Sequence, residues 1–243
     1  MEPRPIPALD ERAAKPRAHD DGVRAMFDRI APRYDLLNRL LSGGLDQTWR
    51  KRATRELRSA PRGPRLDVCA GTMDFAKLLA DDAPRERVVA VDLAEEMLRE
   101  GRKKAPRVET IVADACALPF DAATFAAATC GFGVRNVAST ESFAREMHRV
   151  LAPGGVLVVL EAFRPERALP AMLHRAYVGK MFPTLGAVLT RDPAAYEYFV
   201  ASVAAFHTRR AFERLLQNAG FASVRGYDVT LGMAGIVVAE KAR

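Results

Sequence analysis

Two short stretches of this chain combine small residues with acids at a spacing suited to holding a nucleoside. The apolar run Leu66-Asp67-Val68 breaks into the turn 69–74, Cys-Ala-Gly-Thr-Met-Asp. A second strand-like run at 87–91 ends in Asp92. In an α/β fold, a turn of small residues lets the backbone approach a ligand, and an acid at the end of the next strand accepts hydrogen bonds from ribose hydroxyls. The pattern predicts a nucleoside-containing cofactor.

The turn lacks the residues that cradle a phosphate. It matches neither G-x-G-x-x-G nor the Gly-Lys of a P-loop. A ligand without a phosphate fits better, and S-adenosylmethionine is the common one. Thr72 and Asp74 can cap the following helix, which leaves N–H donors at its N-terminus for a carboxylate. We therefore predict S-adenosylmethionine at Gly71, Thr72, Asp92 and Leu93, although for Asp92 taken alone a helix N-cap would be the favoured interpretation.

Polar residues also follow the third and fourth predicted strands. Asp114 and Ala115 follow the third, where a polar group can meet an adenine edge, with an ordinary loop aspartate as the alternative. The segment 131–136 follows the fourth. Because ligands of open α/β sheets bind at the carboxyl ends of strands, Arg135 and Asn136 are placed for a substrate. A simple loop cap is the alternative for that pair.

The elements that must position these residues alternate along the chain. Strand-like runs alternate with helix-like ones, the strands at 65–70, 87–92, 108–113, 124–130 and 156–161 and the helices at 74–81, 94–104 and 139–151. This alternation predicts an α/β fold with right-handed βαβ units and a mostly parallel sheet. Two final strands, 221–229 and 232–240, are joined by a short connection and are predicted to pair antiparallel.

Helical spacing precedes this alternation and predicts an N-terminal helical cap over residues 21–60. Apolar residues recur at helical spacing from Val23 to Leu41, and Pro32 divides them into two helices. A third helix is predicted to begin at Asp46 as its N-cap.

Two further segments complete the organisation. Residues 1–20 are rich in proline, alanine and charge, which predicts a disordered tail. Residues 165–205 interrupt the alternation with apolar, aromatic and proline-rich sequence, which predicts a helical lid insertion. Residues 21–243 are thus expected to form a single domain.

The bulk composition excludes several protein classes. The 243 residues are 49% hydrophobic, with no apolar run long enough for a membrane span and no apolar core of a secretory signal. Three cysteines without a C-x-x-C or Cys/His cluster predict neither a disulfide framework nor a metal site. We expect a cytoplasmic protein.

The net charge of +7 is partly local. Basic residues crowd the stretch 50–65, opposed only by Glu56, and comprise Arg50, Lys51, Arg52, Arg55, Arg58, Arg62 and Arg65. A solvated helix face is the simplest interpretation. An anionic membrane surface or a nucleic acid are the alternatives, but no aromatic interleaving or nucleic-acid motif supports the latter.

Four segments resemble the UbiE/MenG family of quinone-biosynthesis C-methyltransferases, over roughly residues 21–240. They are 27–38 with Leu41-Ser42 and Trp49-Arg50, the turn 66–74, Phe132-Gly-Val-Arg-Asn-Val137, and Arg149-Val-Leu-Ala-Pro-Gly-Gly155 leading to Glu161. The last is shared by many class I methyltransferases, whereas the first and third are more specific to the family.

The resemblance implies a seven-stranded, Rossmann-like class I methyltransferase that methylates a ring carbon of a polyprenyl hydroquinone from S-adenosylmethionine. Demethylmenaquinol is the expected acceptor. Carried over by position, Thr72, Asp92, Asp114, Ala115 and Gly131 would contact the cofactor.

Tyr34, Arg135 and Asn136 match family positions near the substrate. Arg135 would stabilise the phenolate electrostatically, because a guanidinium with a pKa above about 12 is a poor base. Tyr34 and Asn136 would orient the ring. Expected partners are the quinone substrate, the inner face of the cytoplasmic membrane and a second copy in a homodimer, but no nucleic acid.

The chain also departs from the family pattern. Met73 and Ala70 stand where glycine is common, and Gly131 replaces a small hydroxyl residue. Asp46 and Phe163 replace a histidine and a serine. If position 73 needs a positive φ, methionine is strained there; if it lies in the first helical turn, methionine is harmless.

Four alternatives stay open. The first is a class I methyltransferase acting at oxygen or nitrogen of another small acceptor. The second is a non-catalytic subunit that binds quinone intermediates, for which Met73 and Gly131 would be the evidence. An RNA methyltransferase is suggested by charge alone, and a dinucleotide oxidoreductase ranks last for want of G-x-G-x-x-G.

Overall fold

A seven-stranded sheet forms the centre of the computed structural model, which describes residues 18–166 and 193–243. Its strands are β1 (Arg65–Val68), β2 (Val88–Asp92), β3 (Glu109–Val112), β4 (Phe125–Gly131), β5 (Leu151–Glu161), β6 (Ser223–Val229) and β7 (Ala234–Glu240). Their order is β3-β2-β1-β4-β5-β7-β6, with β1 to β5 parallel and β7 antiparallel to both of its neighbours. The predicted mostly parallel sheet and its antiparallel final pair are confirmed.

Helices cover both faces of the sheet, and three of them precede the first strand in the chain. They are α1 (Ala18–Ile30), α2 (Tyr34–Ser42), α3 (Leu45–Arg55), α4 (Asp74–Asp82), α5 (Glu95–Lys104), α6 (Thr140–Val150), α7 (Pro193–Ala205) and α8 (Arg209–Asn218). Pro32 lies in the short 3₁₀ turn Ala31–Arg33 between α1 and α2. The predicted break falls there because proline has no N–H to continue the helical hydrogen bonds.

The predicted N-cap at Asp46 is wrong. Helix α3 begins at Leu45 and its N-cap is Gly44, which has a φ of +78°. Asp46 is instead buried within the first turn. Its Oδ1 accepts a hydrogen bond from Ser42 Oγ at 3.0 Å, and its Oδ2 accepts one from Gln47 Nε2 at 3.0 Å. Two consecutive left-handed glycines turn the chain more sharply than the sequence pattern indicated.

Two apolar layers enclose the sheet. On one face Phe143 of α6 and Phe212 of α8 pack against the strands, and on the other Trp49 of α3 and Phe75 of α4 do so. Alternate residues of a strand face opposite sides of the sheet, so the central strands are mostly apolar, as expected of a parallel sheet covered on both sides, with Asp67 and Thr129 as buried polar exceptions. This rigid frame holds the carboxyl ends of β1, β2 and β4 in fixed positions.

Two predicted segments fall largely on positions that the structure does not describe. Of the predicted tail 1–20, only 18–20 are described, where α1 begins. Of the predicted insertion 165–205, residues 167–192 lie outside the described residues. Within 18–166 and 193–243, no helix has both the length and the apolar character needed to cross a membrane.

Candidate active site

A cavity lies at the carboxyl ends of β1, β2 and β4, beneath the N-terminal helices α1 to α3. Residues of α1, α2, α3, β2 and β4 and of the turn after β1 line it. Among them are nine of the predicted site residues, Tyr34, Gly71, Thr72, Asp92, Leu93, Asp114, Ala115, Gly131 and Asn136. They come together because parallel strands deliver their following loops to one edge of the sheet.

The turn after β1 is backbone-strained at Met73. Cys69, Gly71 and Met73 all have positive φ values, of 52°, 53° and 65°. A left-handed conformation costs a residue with a side chain about 1–2 kcal/mol. Met73 therefore has the strained backbone conformation and does not lie in the first helical turn. The Met73 side chain is fully buried and occupies space beside Gly101 of α5.

The predicted capping of α4 by Thr72 and Asp74 is wrong. The N-cap is Met73, which makes no side-chain cap. The acceptor comes from β1: Asp67 Oδ2 accepts from the Ala76 N–H at 2.9 Å, and Oδ1 accepts from Thr129 Oγ1 at 2.8 Å. Burial raises the pKa of Asp67 to about 7, although these hydrogen bonds oppose the rise. A carboxylate beneath the helix thus does what the turn residues were expected to do.

Thr72 and Asp74 instead bind the turn to neighbouring helices. Thr72 Oγ1 donates to Asp35 of α2. Lys104 of α5 donates to Asp35 Oδ2 and to Asp74 Oδ1, each at 2.5 Å. Gln47 of α3 donates to Asp74 Oδ2 at 3.1 Å. The N-terminal helices are therefore fastened to the predicted cofactor turn by a charged network.

Asp92 holds the two loops that border the cavity. Its Oδ2 accepts from the Gly71 N–H at 2.7 Å, and its Oδ1 accepts from the Ala94 N–H at 2.8 Å. Burial raises the pKa of Asp92 while these backbone hydrogen bonds lower it. Each carboxylate oxygen has a second lone pair, so the group can still accept from ligand hydroxyls. Asp92 is not the N-cap of α5, which is Ala94.

Two tyrosines lie at the residues predicted to orient the substrate: Tyr34 lines the cavity, and Tyr198 contacts Asn136. The Tyr34 ring lies over Gly71, where a side chain's first carbon would be 3.8 Å from Tyr34 Cε1. Burial raises the pKa of Tyr34, so its hydroxyl stays protonated at neutral pH. Tyr198 of α7 donates from its hydroxyl to Asn136 Oδ1 at 3.0 Å. That bond turns the Asn136 Nδ2 donor group toward other partners.

Arg135 does not line the cavity, in contrast to the expectation that it faces the substrate. Its Nη1 donates to Glu161 Oε1 at 2.5 Å and to the Phe132 carbonyl at 2.9 Å. Its Nε donates to Ser202 Oγ at 3.3 Å. The physical reason is Glu161, which is fully buried on β5 and requires a paired cation.

Arg50 lines the cavity and is only 5% exposed, whereas its place in the basic stretch 50–65 predicts a solvated side chain. Arg65 also leaves that stretch, since it pairs with Glu86 and Asp82, and Arg52 lies over the Tyr227 ring. The other five basic residues, Lys51, Arg52, Arg55, Arg58 and Arg62, are exposed, as a solvated face requires, so Arg50 and Arg65 are the exceptions to that prediction. The sequence does contain one indication of this position. Arg50 directly follows Trp49 in the first segment that resembles the family, and both residues are buried in α3.

The described residues offer free thiols but no cluster of metal-binding side chains. Cys69, Cys116 and Cys130 are free thiols. Across the described ranges, His, Cys, Asp and Glu residues form no group of three or more arranged to hold a metal ion. Within these ranges the cavity lining offers carboxylates, hydroxyls, an amide, a thiol, the guanidiniums of Arg24 and Arg50, and apolar surface.

Comparisons with known proteins agree with this geometry. A sequence model of the ubiE/COQ5 methyltransferase family matches residues 15–241. A ubiquinone/menaquinone biosynthesis C-methyltransferase UbiE from Syntrophotalea carbinolica is 45% identical over 215 residues, covering 87% of this chain and 90% of that protein. A demethylmenaquinone methyltransferase from Thermus thermophilus is 44% identical over 221 residues, covering 89% and 100%.

Solved structures show the same fold. A crystal structure of a SAM-dependent methyltransferase from Thermotoga maritima superposes with a TM-score of 0.58 at 19% identity, covering 89% of this chain and 99% of that one. At that identity the likeness concerns the fold alone. The family match and the close relatives extend over nearly the whole chain, and this protein therefore belongs to the ubiE/COQ5 methyltransferase family.

Proposed function

We propose that this protein methylates a ring carbon of a polyprenyl hydroquinone, using S-adenosylmethionine, and that demethylmenaquinol is its acceptor. Family membership supports an S-adenosylmethionine-dependent C-methyltransferase of menaquinone or ubiquinone biosynthesis. The observation that carries the proposal is that one cavity is lined both by residues predicted for the cofactor and by two of those predicted for the acceptor, Tyr34 and Asn136.

The cavity residues fit the cofactor in their chemistry. Asp92 offers carboxylate oxygens suited to the hydroxyls of a ribose, and Gly71 allows close approach of the backbone. Leu93, Ala113 and Ala115 add apolar surface suited to the faces of an adenine. Asp114 accepts from the Cys116 N–H at 2.8 Å, which holds the loop beside them. When bound, S-adenosylmethionine supplies a methyl group that is already activated on a sulfonium.

The protein's part in the reaction is alignment and charge stabilisation. A hydroquinone carbon becomes nucleophilic as a neighbouring hydroxyl loses its proton, so groups that stabilise a phenolate lower the barrier. Asn136 Nδ2 and the protonated Tyr34 hydroxyl are donors suited to a ring oxygen. We assign Arg135 to holding the loop 132–136 in place through Phe132 and Glu161.

The test is a reconstituted assay with the purified protein, isotope-labelled S-adenosylmethionine and chemically reduced acceptors. Demethylmenaquinol, a demethylated benzoquinol and a tail-less naphthoquinol are offered in parallel. We expect a product with a new carbon-bound methyl group from demethylmenaquinol, at a higher rate than from the tail-less compound. Methylation at oxygen or nitrogen would favour the small-acceptor alternative, and binding without turnover would favour a non-catalytic subunit.

The same proposal extends to peripheral membrane contact. Leu36 is 53% exposed, and Leu40 is also exposed on α2. Lys51, Arg55 and Arg58 are exposed on the adjoining segment. Anionic headgroups contribute about 1 kcal/mol per basic residue near the surface. Flotation with anionic and neutral liposomes at low salt measures this contribution, and equal flotation with both would remove the electrostatic part.

The proposed domain division and oligomeric state rest on the sequence argument. We propose that residues 21–243 form one domain, with 21–60 as a cap and 165–205 as an insertion; cap residues Val23 and Phe27 line the cavity, which supports the first of these roles. A homodimer is the proposed assembly, and light scattering coupled to size-exclusion chromatography measures it.

A further inference from the structure

Arg50 presents an unsatisfied guanidinium to the cavity. The residue is 5% exposed, and its Nε is buried without a hydrogen-bond partner. Throughout the described ranges the only other buried side-chain nitrogen or oxygen in that condition is Asn38 Nδ2. A buried charged donor without an acceptor is costly, so an atom of this kind points to a missing partner.

The neighbouring carboxylates do not fill that role. Arg50 Nε lies 3.8 Å from Asp46 Oδ2 and 3.7 Å from Asp74 Oδ2, which is too far for a hydrogen bond. Both acids have closer partners: Gln47 donates to both, and Lys104 donates to Asp74. The two carboxylates therefore lower the cost of burying the positive charge and leave the donor fork of Arg50 open.

The surroundings hold this fork in one place. The guanidinium carbon lies 5.2 Å from the ring centroid of Phe75 and 5.3 Å from that of Phe132. Gly131, at the end of β4, makes room for it, because a side chain's first carbon there would be 2.6 Å from Arg50 Nη1. Glycine at position 131 therefore leaves open the space that the Arg50 guanidinium occupies.

We propose that Arg50 binds the carboxylate at the amino-acid end of the cofactor. This inference rests on the proposed function, since it names a further residue of the same site. A planar guanidinium matches a carboxylate through paired N–H···O bonds, and the pair is strong where water is excluded. Arg50 belongs to α3, and its guanidinium lies beside the end of β4 and the first turn of α4, while Asp92 lies at the end of β2. If the ribose of an elongated ligand binds Asp92, the opposite end of that ligand can extend toward Arg50.

The experiment compares two ligands that differ by the amino-acid end. S-adenosylhomocysteine carries the carboxylate, and 5′-methylthioadenosine lacks it. Calorimetry measures the affinity of the whole purified chain and of its Arg50→Met variant for both. We expect Arg50→Met to weaken S-adenosylhomocysteine by about tenfold to a hundredfold and 5′-methylthioadenosine by less than about twofold. Arg50→Lys, which keeps the charge and loses the fork, should lie between.

The matched control is Arg55→Met on the same helix, where the side chain is exposed. It should leave both affinities unchanged, and the thermal unfolding midpoint of each variant shows that the fold persists. Equal affinity of Arg50→Met and wild type for S-adenosylhomocysteine would overturn the inference, as would an equal loss for both ligands. Failure of the wild type to bind S-adenosylhomocysteine would instead contradict the proposed function.

Discussion

The guanidinium of Arg135 and the carboxylate of Glu161 form a buried ion pair, with Nη1 2.5 Å from Oε1. Glu161 ends β5, and Arg135 belongs to the loop after β4, so the pair joins two adjacent strand ends. Glu161 also accepts from the Ala162 N–H at 2.8 Å. The pair therefore fixes the loop that carries Asn136 into the cavity.

Removing one partner of this pair should destabilise the fold. Glu161→Gln leaves the Arg135 charge buried without its counter-charge, which costs about 3–5 kcal/mol of unfolding free energy. Urea titration measures it, and the double variant with Arg135→Gln should lose less than the sum of the two single losses. Asp81→Asn, which breaks the exposed pair with Lys77, is the control and should cost at most about 1 kcal/mol.

The same variants distinguish a positioning role of Arg135 from direct contact with substrate. If Arg135 positions the loop, Glu161→Gln should reduce kcat about as strongly as Arg135→Gln, while both keep S-adenosylhomocysteine affinity. A variant series in which only Arg135 substitutions lower kcat would speak for direct contact instead.

Met73 and Gly101 share one space between α4 and α5. A side chain's first carbon at position 101 would lie 2.5 Å from Met73 Cγ. Gly101→Ala should therefore cost about 1–3 kcal/mol of unfolding free energy by overpacking. Met73→Gly relieves the positive φ but empties a buried site, with a net loss of similar size.

The double variant tests whether these losses have the stated cause. With glycine at 73, alanine at 101 has room, so the combined loss should be smaller than the sum of the two single losses. Additive losses would contradict the shared-space explanation. Gly22→Ala is the control, since nothing lies within 4 Å of its added carbon, and it should be neutral or stabilising.

Asp67 should make stability depend on pH. Burial raises its folded-state pKa from 3.8 to about 7, while Arg50 lowers the value and Asp92 raises it. Between these pH values the folded protein keeps a proton that the unfolded chain has lost. Stability should therefore fall as pH rises through this window, by up to about 4 kcal/mol.

The neutral variant Asp67→Asn isolates that contribution, because an amide does not titrate in this range. Wild type should lose stability relative to Asp67→Asn between about pH 4 and about pH 8, with a constant difference above that. Denaturant titrations of both proteins at each pH measure the difference. A difference that does not change with pH would contradict the raised folded-state pKa of Asp67.

Tyr198 should act through Asn136. Tyr198→Phe removes the donor to Asn136 Oδ1 and frees the amide to rotate, so kcat should fall about threefold to tenfold. Affinity for S-adenosylhomocysteine should stay the same. Tyr227→Phe is the matched control, because its hydroxyl donates to Glu56 outside the cavity lining. An equal effect of both changes would refute a specific role.

The alternation of strand and helix patterns is enough to predict the sheet and most of the cavity lining. Strand and helix patterns alternate, parallel strands present their carboxyl ends at one edge, and so the residues after β1, β2, β3 and β4 had to meet. This reasoning predicts Gly71, Asp92, Asp114 and Asn136 at that edge, and all four line the cavity.

Which long side chains face that cavity depends on packing between distant elements. Arg135 turned to Glu161 and Arg50 turned inward, while Asp67 took the capping position expected of Thr72 and Asp74. Each outcome depends on a buried partner that is distant in sequence, and the local pattern does not contain it. Burial demands that every charge find a partner, and which partner is near enough is settled by packing between elements.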